Sequence, residues 1–333
     1  MEAVETVETE DRQPLMKIRN LTKEFKIKSK KLTEKPQILH ALNDVTLDVY
    51  EGETLGIIGE SGCGKSTFGR TLIQLHKATS GTVEYQGQDL FAMKGKARKA
   101  LKKDIQMVFQ DPYSSLDPRK TCEDLIAEPL IVHNIITDKK QRQERVLELM
   151  REVGLDIQHM NRYPHEFSGG QRQRINVARA LALQPKVIVC DEPVSALDVS
   201  IQAQVLNLFN RLQKEHNLTY VFISHDLGVI RHVSDRIAIM YLGRVVEMCE
   251  ASQIYDNPLH PYTKALLSAI PPESPFEQKE RIVLKGEIPS PIGDQIGCPL
   301  AGRCPNCTEQ CTKEMPELKD IGDGHRVACF LYH

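Results

Sequence analysis

The sequence predicts an α/β fold, a mainly parallel sheet with helices on both faces. Three observations carry that prediction. Short apolar runs at residues 54–58, 186–190, 219–223 and 236–240 read as strands. Segments of helical character lie between them, and strands that alternate with helices indicate parallel pairing. The first run passes directly into a glycine-rich loop, Gly59-Glu60-Ser61-Gly62-Cys63-Gly64-Lys65-Ser66, and residues 65–76 then read as a helix.

In chain order, residues 1–14 are a polar, acidic tail and 15–27 a strand. Residues 28–36 form a Lys-rich loop, and an alternating strand follows at 45–49. From about 111 to 166 the pattern is helical and highly charged, as in Lys139-Lys140-Gln141-Arg142-Gln143-Glu144-Arg145; this is an insertion within a domain covering 15–273. Residues 274–333 turn rich in Pro, Gly and Cys, which marks a small second module. No internal repeat is present.

Composition excludes several classes. A net charge of −2 supplies no global positive field toward nucleic acid or anionic lipid. Trp is absent, and aromatic residues make up 5%, which argues against a stacking platform for single strands. No run approaches the roughly 18 apolar residues that span a bilayer. The acidic N-terminus lacks the basic and apolar regions of a secretory signal. The expectation is a cytosolic chain whose membrane role, if any, comes through partners. Nine cysteines in such a chain seldom form a disulfide framework.

The glycine loop carries the first chemistry. Glycines let successive N–H groups face one anion, and the following helix adds its N-terminal dipole. Lys65 is suited to the β- and γ-phosphates of a nucleotide, and the Ser66 hydroxyl to Mg²⁺. The apolar run ending in Asp191-Glu192 places two carboxylates at a strand tip. Asp191 suits the Mg²⁺ shell and Glu192 a general base or water-orienting group, although an exposed strand end also explains that pair. Phe167-Ser168-Gly169-Gly170-Gln171 opens a second helix and forms either a second anion site or a simple N-cap.

With these motifs in this order, the chain resembles an ATP-binding cassette (ABC) subunit. The resemblance implies a P-loop NTPase of RecA-like type with three additions: an N-terminal antiparallel β subdomain, a helical signature subdomain and the Cys-rich C-terminal module. It places ATP on Phe25, Gly59, Ser61, Gly62, Cys63, Gly64, Lys65, Ser66 and Thr67, with Phe25 as the adenine-stacking aromatic; a lone Phe in a strand is more often core. Catalysis falls to Glu192, His225, Lys65 and Gln110, and Mg²⁺ to Ser66, Gln110 and Asp191. Ser168, Gly169, Gly170 and Gln171 form the signature that caps the ATP of a second cassette, and Ser195-Ala196-Leu197-Asp198 the D-loop. Phe167 stands where the family commonly has Leu, and retains an apolar wedge.

A narrower resemblance covers nearly the whole chain. The segments Gln110-Asp111-Pro112-Tyr113-Ser114-Ser115-Leu116-Asp117-Pro118-Arg119, Asp191-Glu192-Pro193-Val194-Ser195 and His260-Pro261-Tyr262-Thr263 are similar to the ATPase subunits of oligopeptide and dipeptide importers, in particular their F-type subunit. Nickel importers use kindred subunits. A cassette acting on DNA or ribosomes fits less well, because only about a hundred residues separate Ser66 from Ser168 and one cassette is present. The implied partners are a D-type ATPase subunit, two transmembrane permeases and, indirectly, an extracytoplasmic solute-binding protein, with no nucleic acid. The implied location is the cytoplasmic face of the cell membrane. Cys298, Cys304, Cys311 and Cys329 match a terminal pattern in which a [4Fe–4S] cluster occurs. A zinc site and free thiols are the other readings, and Cys307 is surplus to the pattern.

Overall fold

The computed structural model describes residues 12–27, 36–270, 280–293 and 295–333. Residues 1–11 of the expected tail and 28–35 of the Lys-rich loop lie outside these.

Antiparallel strands β1 (Met16–Ile27), β2 (Gln37–Val49), β4 (Ser80–Tyr85) and β5 (Gln88–Asp89) form one sheet in the order β2-β1-β4-β5. The larger sheet contains β3 (Thr54–Ile58), β6 (Ile105–Val108), β7 (Val187–Asp191), β8 (Thr219–Ser224) and β9 (Arg236–Tyr241) in parallel. Antiparallel β10 (Arg244–Glu250), β12 (Arg326–Val327) and β11 (Lys319–Asp320) extend it, giving β11-β12-β10-β9-β3-β8-β7-β6. Every residue of β3, β7 and β8 is buried. Burial on both faces is why each reads as an unbroken apolar run.

Helix α1 (Lys65–Leu72) packs on one face of this sheet. There Phe68 and Leu72 join Ile57, Val189 and Ile223 and the buried side of the antiparallel sheet, Met16, Ile18 and Leu47. The other face carries a second cluster, in which Ile188 and Phe222 meet residues of α5 (Gly169–Leu181), α6 (Val199–His216) and α7 (Leu227–Val233). Between α1 and α5 come α2 (Gly95–Asp104), α3 (Cys122–Val132) and α4 (Lys139–Glu152). Thr121 and Asp124 close a capping box on α3, and Asp138 accepts from Gln141 N at 2.9 Å to start α4. Among the described residues no helix is long and apolar enough to cross a membrane.

Three differences from the sequence reading have local causes. The helix expected over 65–76 ends at Leu72, because Gln74 turns left-handed at φ +60° and the N–H groups of Leu75 and His76 both close on Arg70 O. Strand β2 begins at Gln37, eight residues before the alternation at Val45 becomes visible. Strands β4, β6 and β10 lack a local signal; β10 even buries a carboxylate, Glu247.

That carboxylate ties the C-terminal segment to the large sheet. It accepts hydrogen bonds from Leu259 N at 2.7 Å and His260 N at 3.0 Å, and its Oε1 lies 2.8 Å from His325 Nε2. Next to it begin α8 (Ala251–Asp256) and α9 (Pro261–Ser268). The His260 side chain caps α9, its Nδ1 accepting from Tyr262 N at 3.2 Å. Burial pushes the His260 imidazole down to about 4, against the pull of Glu247. An unfolded histidine titrates near 6.5, so below that pH the unfolded chain takes up this proton first. Stability therefore falls as pH drops from about 6.5 toward 4, by about 2 kcal/mol between pH 7 and pH 5 from this group alone. Denaturant titrations of wild type and His260→Asn at the two pH values measure it; an equal pH dependence in both would remove His260 from the account.

Candidate active site

The loop between β3 and α1 is shaped by what cannot be there. A Cβ at Gly59 would meet Met240 O at 2.2 Å, and one at Gly64, where φ is +107°, would meet Ala41 O at 2.2 Å. Only glycine lets the backbone pass at both points. The Lys65 ammonium is buried and donates to Gly59 O at 2.7 Å and Glu60 O at 3.0 Å. It thus folds back over the loop, from where it can exchange these carbonyls for phosphate oxygens.

Beneath it, Ser66 Oγ donates to Asp191 Oδ1 at 2.7 Å. Asp191 is fully buried at the end of β7; its Oδ2 accepts no hydrogen bond and stands 3.7 Å from Arg70 Nη2. Burial raises the Asp191 carboxyl, partly offset by Ser66 and Arg70. A buried carboxylate with a spare oxygen beside a hydroxyl is a donor set for a hard cation, so these residues fit Mg²⁺.

Glu192 sits in the left-handed region at φ +47°, where its N–H donates to Ile223 O at 2.9 Å. A non-glycine residue held there costs on the order of 1–3 kcal/mol. Glu192 Oε2 accepts from Gln110 Nε2 at 2.8 Å and lies 3.1 Å from His225 Nδ1. Gln110 and His225, nominated with Glu192 for catalysis, thus meet on one of its oxygens. A cavity of about 530 Å³ joins them to the loop: Ser61, Gly62, Gly64, Lys65, Ser66 and Thr67 line it with Gln110, Glu192, His225 and, at the far side, Phe25.

Of the residues nominated for ATP itself, two stand apart from that cavity. The Cys63 side chain is buried in the core beneath the loop, and Gly59 lies against Met240, so both serve the backbone path rather than the cavity wall. Leu39, His40, Ala41 and Pro291 line the cavity without having been nominated. They come from the unread half of β2 and from the C-terminal segment, and carry no motif.

Ser168 to Gln171 lie elsewhere. Ser168 Oγ accepts from Gln171 N at 3.3 Å while Ser168 N donates to Gln171 Oε1 at 3.0 Å, a capping box at the start of α5. A Cβ at Gly170 would meet Ile201 Cγ2 at 2.4 Å, so glycine there admits α6. Ser168 itself is exposed.

The thiols of Cys298, Cys304, Cys311 and Cys329 line a cavity of about 320 Å³, whereas Cys307 is exposed. Burial raises the Cys298 thiol to about 11 and pushes Cys304 and Cys329 up as well. Among the described residues no group of three or more His, Cys, Asp or Glu is placed to hold a metal ion. The cluster or zinc site expected on these cysteines thus has no ready ligand set among the described residues. The module has another anchor: β12 pairs with β10, Val327 and Cys329 pack on Leu259, and His325 meets Glu247.

A phosphate loop, a buried Asp, a neighbouring Glu held by a Gln and a His, and a second helix N-terminus define the ATP-binding cassette class of ATPases. Comparison agrees: the ABC transporter family matches residues 42–195 and the oligopeptide/dipeptide transporter C-terminal region matches 246–311. A dimeric ATP-binding cassette in a post-hydrolysis state, bound to ADP and Pi, superposes with TM-score 0.62 at 32% identity over 71% of this chain and 98% of that one. The oligopeptide transport ATP-binding protein AppF of Bacillus subtilis is 52% identical across 97% of this chain and 98% of its own length. The oligopeptide transport protein OppF and the dipeptide transport protein DppF of Escherichia coli are 51% and 49% identical over 96% and 98% of this chain, and over 97% and 96% of their own lengths. The chain belongs to the family of oligopeptide and dipeptide transport ATP-binding proteins.

Proposed function

We propose that this chain is the ATP-hydrolysing motor of a peptide importer. The observation that carries the reading is the meeting of Gln110 and His225 on the Glu192 carboxylate, across one cavity from Lys65. In the proposed reaction Lys65 moves from the Gly59 and Glu60 carbonyls to the β- and γ-phosphates. Glu192 orients a water molecule and takes its proton as the water oxygen bonds to the γ-phosphorus and the bond to ADP breaks. His225 holds Glu192 and stands beside the γ-phosphate. Ser66 and Asp191, with Gln110 near, would hold Mg²⁺, which would supply charge neutralisation when bound.

Ser168 and Gly170 act on the ATP of a second cassette. Support comes from their position outside the cavity that holds Lys65. Closure of the two cassettes completes each site and excludes water. Gln110 and the following segment to Arg119 then pass the state of the γ-phosphate to the permeases. The chain docks at the membrane through those permeases, beside a D-type ATPase and in a system with a solute-binding protein. The division into 1–14, 15–273 and 274–333 remains one of composition, since the sheet itself runs on into β12. For a cluster or zinc on the terminal cysteines, the support is only that four thiols share a cavity; iron, sulfide and zinc analysis after anaerobic purification tests it.

The test is reconstitution of the full chain with its permeases and second cassette in proteoliposomes. ATP-dependent uptake of labelled peptide is expected. ATPase activity stimulated by DNA, with no dependence on permeases, would overturn the reading.

A further inference from the structure

We infer that the C-terminal segment around Pro291 forms part of the nucleotide site of its own chain, with Pro291 as a wall of the base-binding end. This rests on the ATP-binding reading above and assigns it a residue that no motif marks. Three observations lead to it.

The first is placement. His40 N donates to Pro291 O at 3.0 Å and Gly293 N donates to Ile38 O at 3.1 Å, on either side of an antiparallel bridge between Leu39 and Ile292. The segment therefore lies along β2 as a short added rung. Neither bond needs an N–H from residue 291, so proline fits without loss to the ladder. On the other side of β2, Leu39 pairs with Phe25 of β1.

The second is chemistry. The cavity is polar and charged where Lys65, Glu192 and His225 stand, which is where a triphosphate goes. Phe25, Leu39, Ala41 and Pro291 supply its apolar lining. A base extending from phosphates on the loop has these groups to meet. Phe25 offers ring surface, with Lys23 Nζ 4.8 Å from its centroid, and the proline ring offers a rigid apolar surface that loses no rotamer freedom on contact.

The third is anchorage. Asn43 Nδ2 donates to Gln295 Oε1 at 3.3 Å, just beyond the bridge. Further on, Arg303 Nη1 donates to Glu60 Oε2 at 3.4 Å and to the Tyr241 hydroxyl at 3.3 Å. Glu60 belongs to the phosphate loop, and its N–H donates to the Tyr262 hydroxyl at 2.9 Å. The C-terminal region thus touches the nucleotide cavity at its apolar end and the phosphate loop from behind.

A purely structural Pro291 would hold the segment without sensing the base. Two ligands separate these roles on the purified full chain: ATP, and tripolyphosphate, which has the phosphates and no base. Pro291→Trp fills the apolar end and should raise the Kd for ATP at least about tenfold, equal to about 1.4 kcal/mol. Pro291→Ala, which keeps the carbonyl bond to His40, should raise it about threefold. Tripolyphosphate affinity should stay within about twofold in both. Unchanged ATP affinity in both variants would overturn the inference, as would an equal loss for both ligands, which would mean that the change reaches the phosphate loop. Wild-type protein that fails to bind ATP would instead sink the ATPase reading itself.

Discussion

Glu192→Gln in the assembled transporter is expected to lower ATP hydrolysis by about 10²–10⁴-fold, the range for loss of a general base. ATP affinity should stay within about twofold of wild type. The substitution keeps the size of the side chain and an oxygen to accept from Gln110 or His225, and removes only the basic oxygen on which both converge. It also leaves Lys65, Ser66 and Asp191 untouched. Turnover measured beside binding of a fluorescent ATP analogue separates the two effects. Hydrolysis above a tenth of wild type would remove Glu192 from its role and leave the left-handed strain at this position without a function.

On the proposed two-cassette reading, Ser168→Arg should lower hydrolysis about a hundredfold, because a bulky cation would replace the small cap assigned to a second cassette's nucleotide. Binding of ATP to the variant's own phosphate loop should remain, since Ser168 is exposed and lies outside the cavity around Lys65. Ser168→Ala is the control: it loses the cap to Gln171 N, about 1 kcal/mol of helix stability, without adding bulk. An unchanged partner-supported rate in Ser168→Arg would show that the second helix N-terminus is only a cap.

Much of this site is legible in the sequence because its parts are local. Buried parallel strands announce themselves as apolar runs, and the turns that follow them must carry the polar groups; Gly59–Ser66 and Asp191-Glu192 are found that way, while His225 and Gln110 come from the resemblance. What escapes depends on contacts between distant segments. Leu39 and His40 belong to a part of β2 too mixed in polarity to read as a strand, and its pairing with Phe25 and Ile292 fixes it there. The Glu247–His325 contact links residues 78 apart along the chain, and no local pattern distinguishes that Glu from one on the surface. Cys63 shows the converse. Its place in the motif is plain, but only packing reveals that its side chain points into the core.

The pairing of β12 with β10 has a consequence for handling the protein. Val327 and Ala328 cover the outer side of β10, with Ala328 N donating to Val246 O at 2.9 Å. A chain cut back before residue 319 would keep the whole phosphate site and yet open a raw flank on the central sheet. That flank carries unpaired N–H and C=O groups, apolar Val245 and Val246, and a Glu247 stripped of its histidine. Such a flank is a template for docking a second molecule strand to strand. Truncation would therefore show itself first as loss of solubility, with nucleotide binding still intact in whatever stayed in solution.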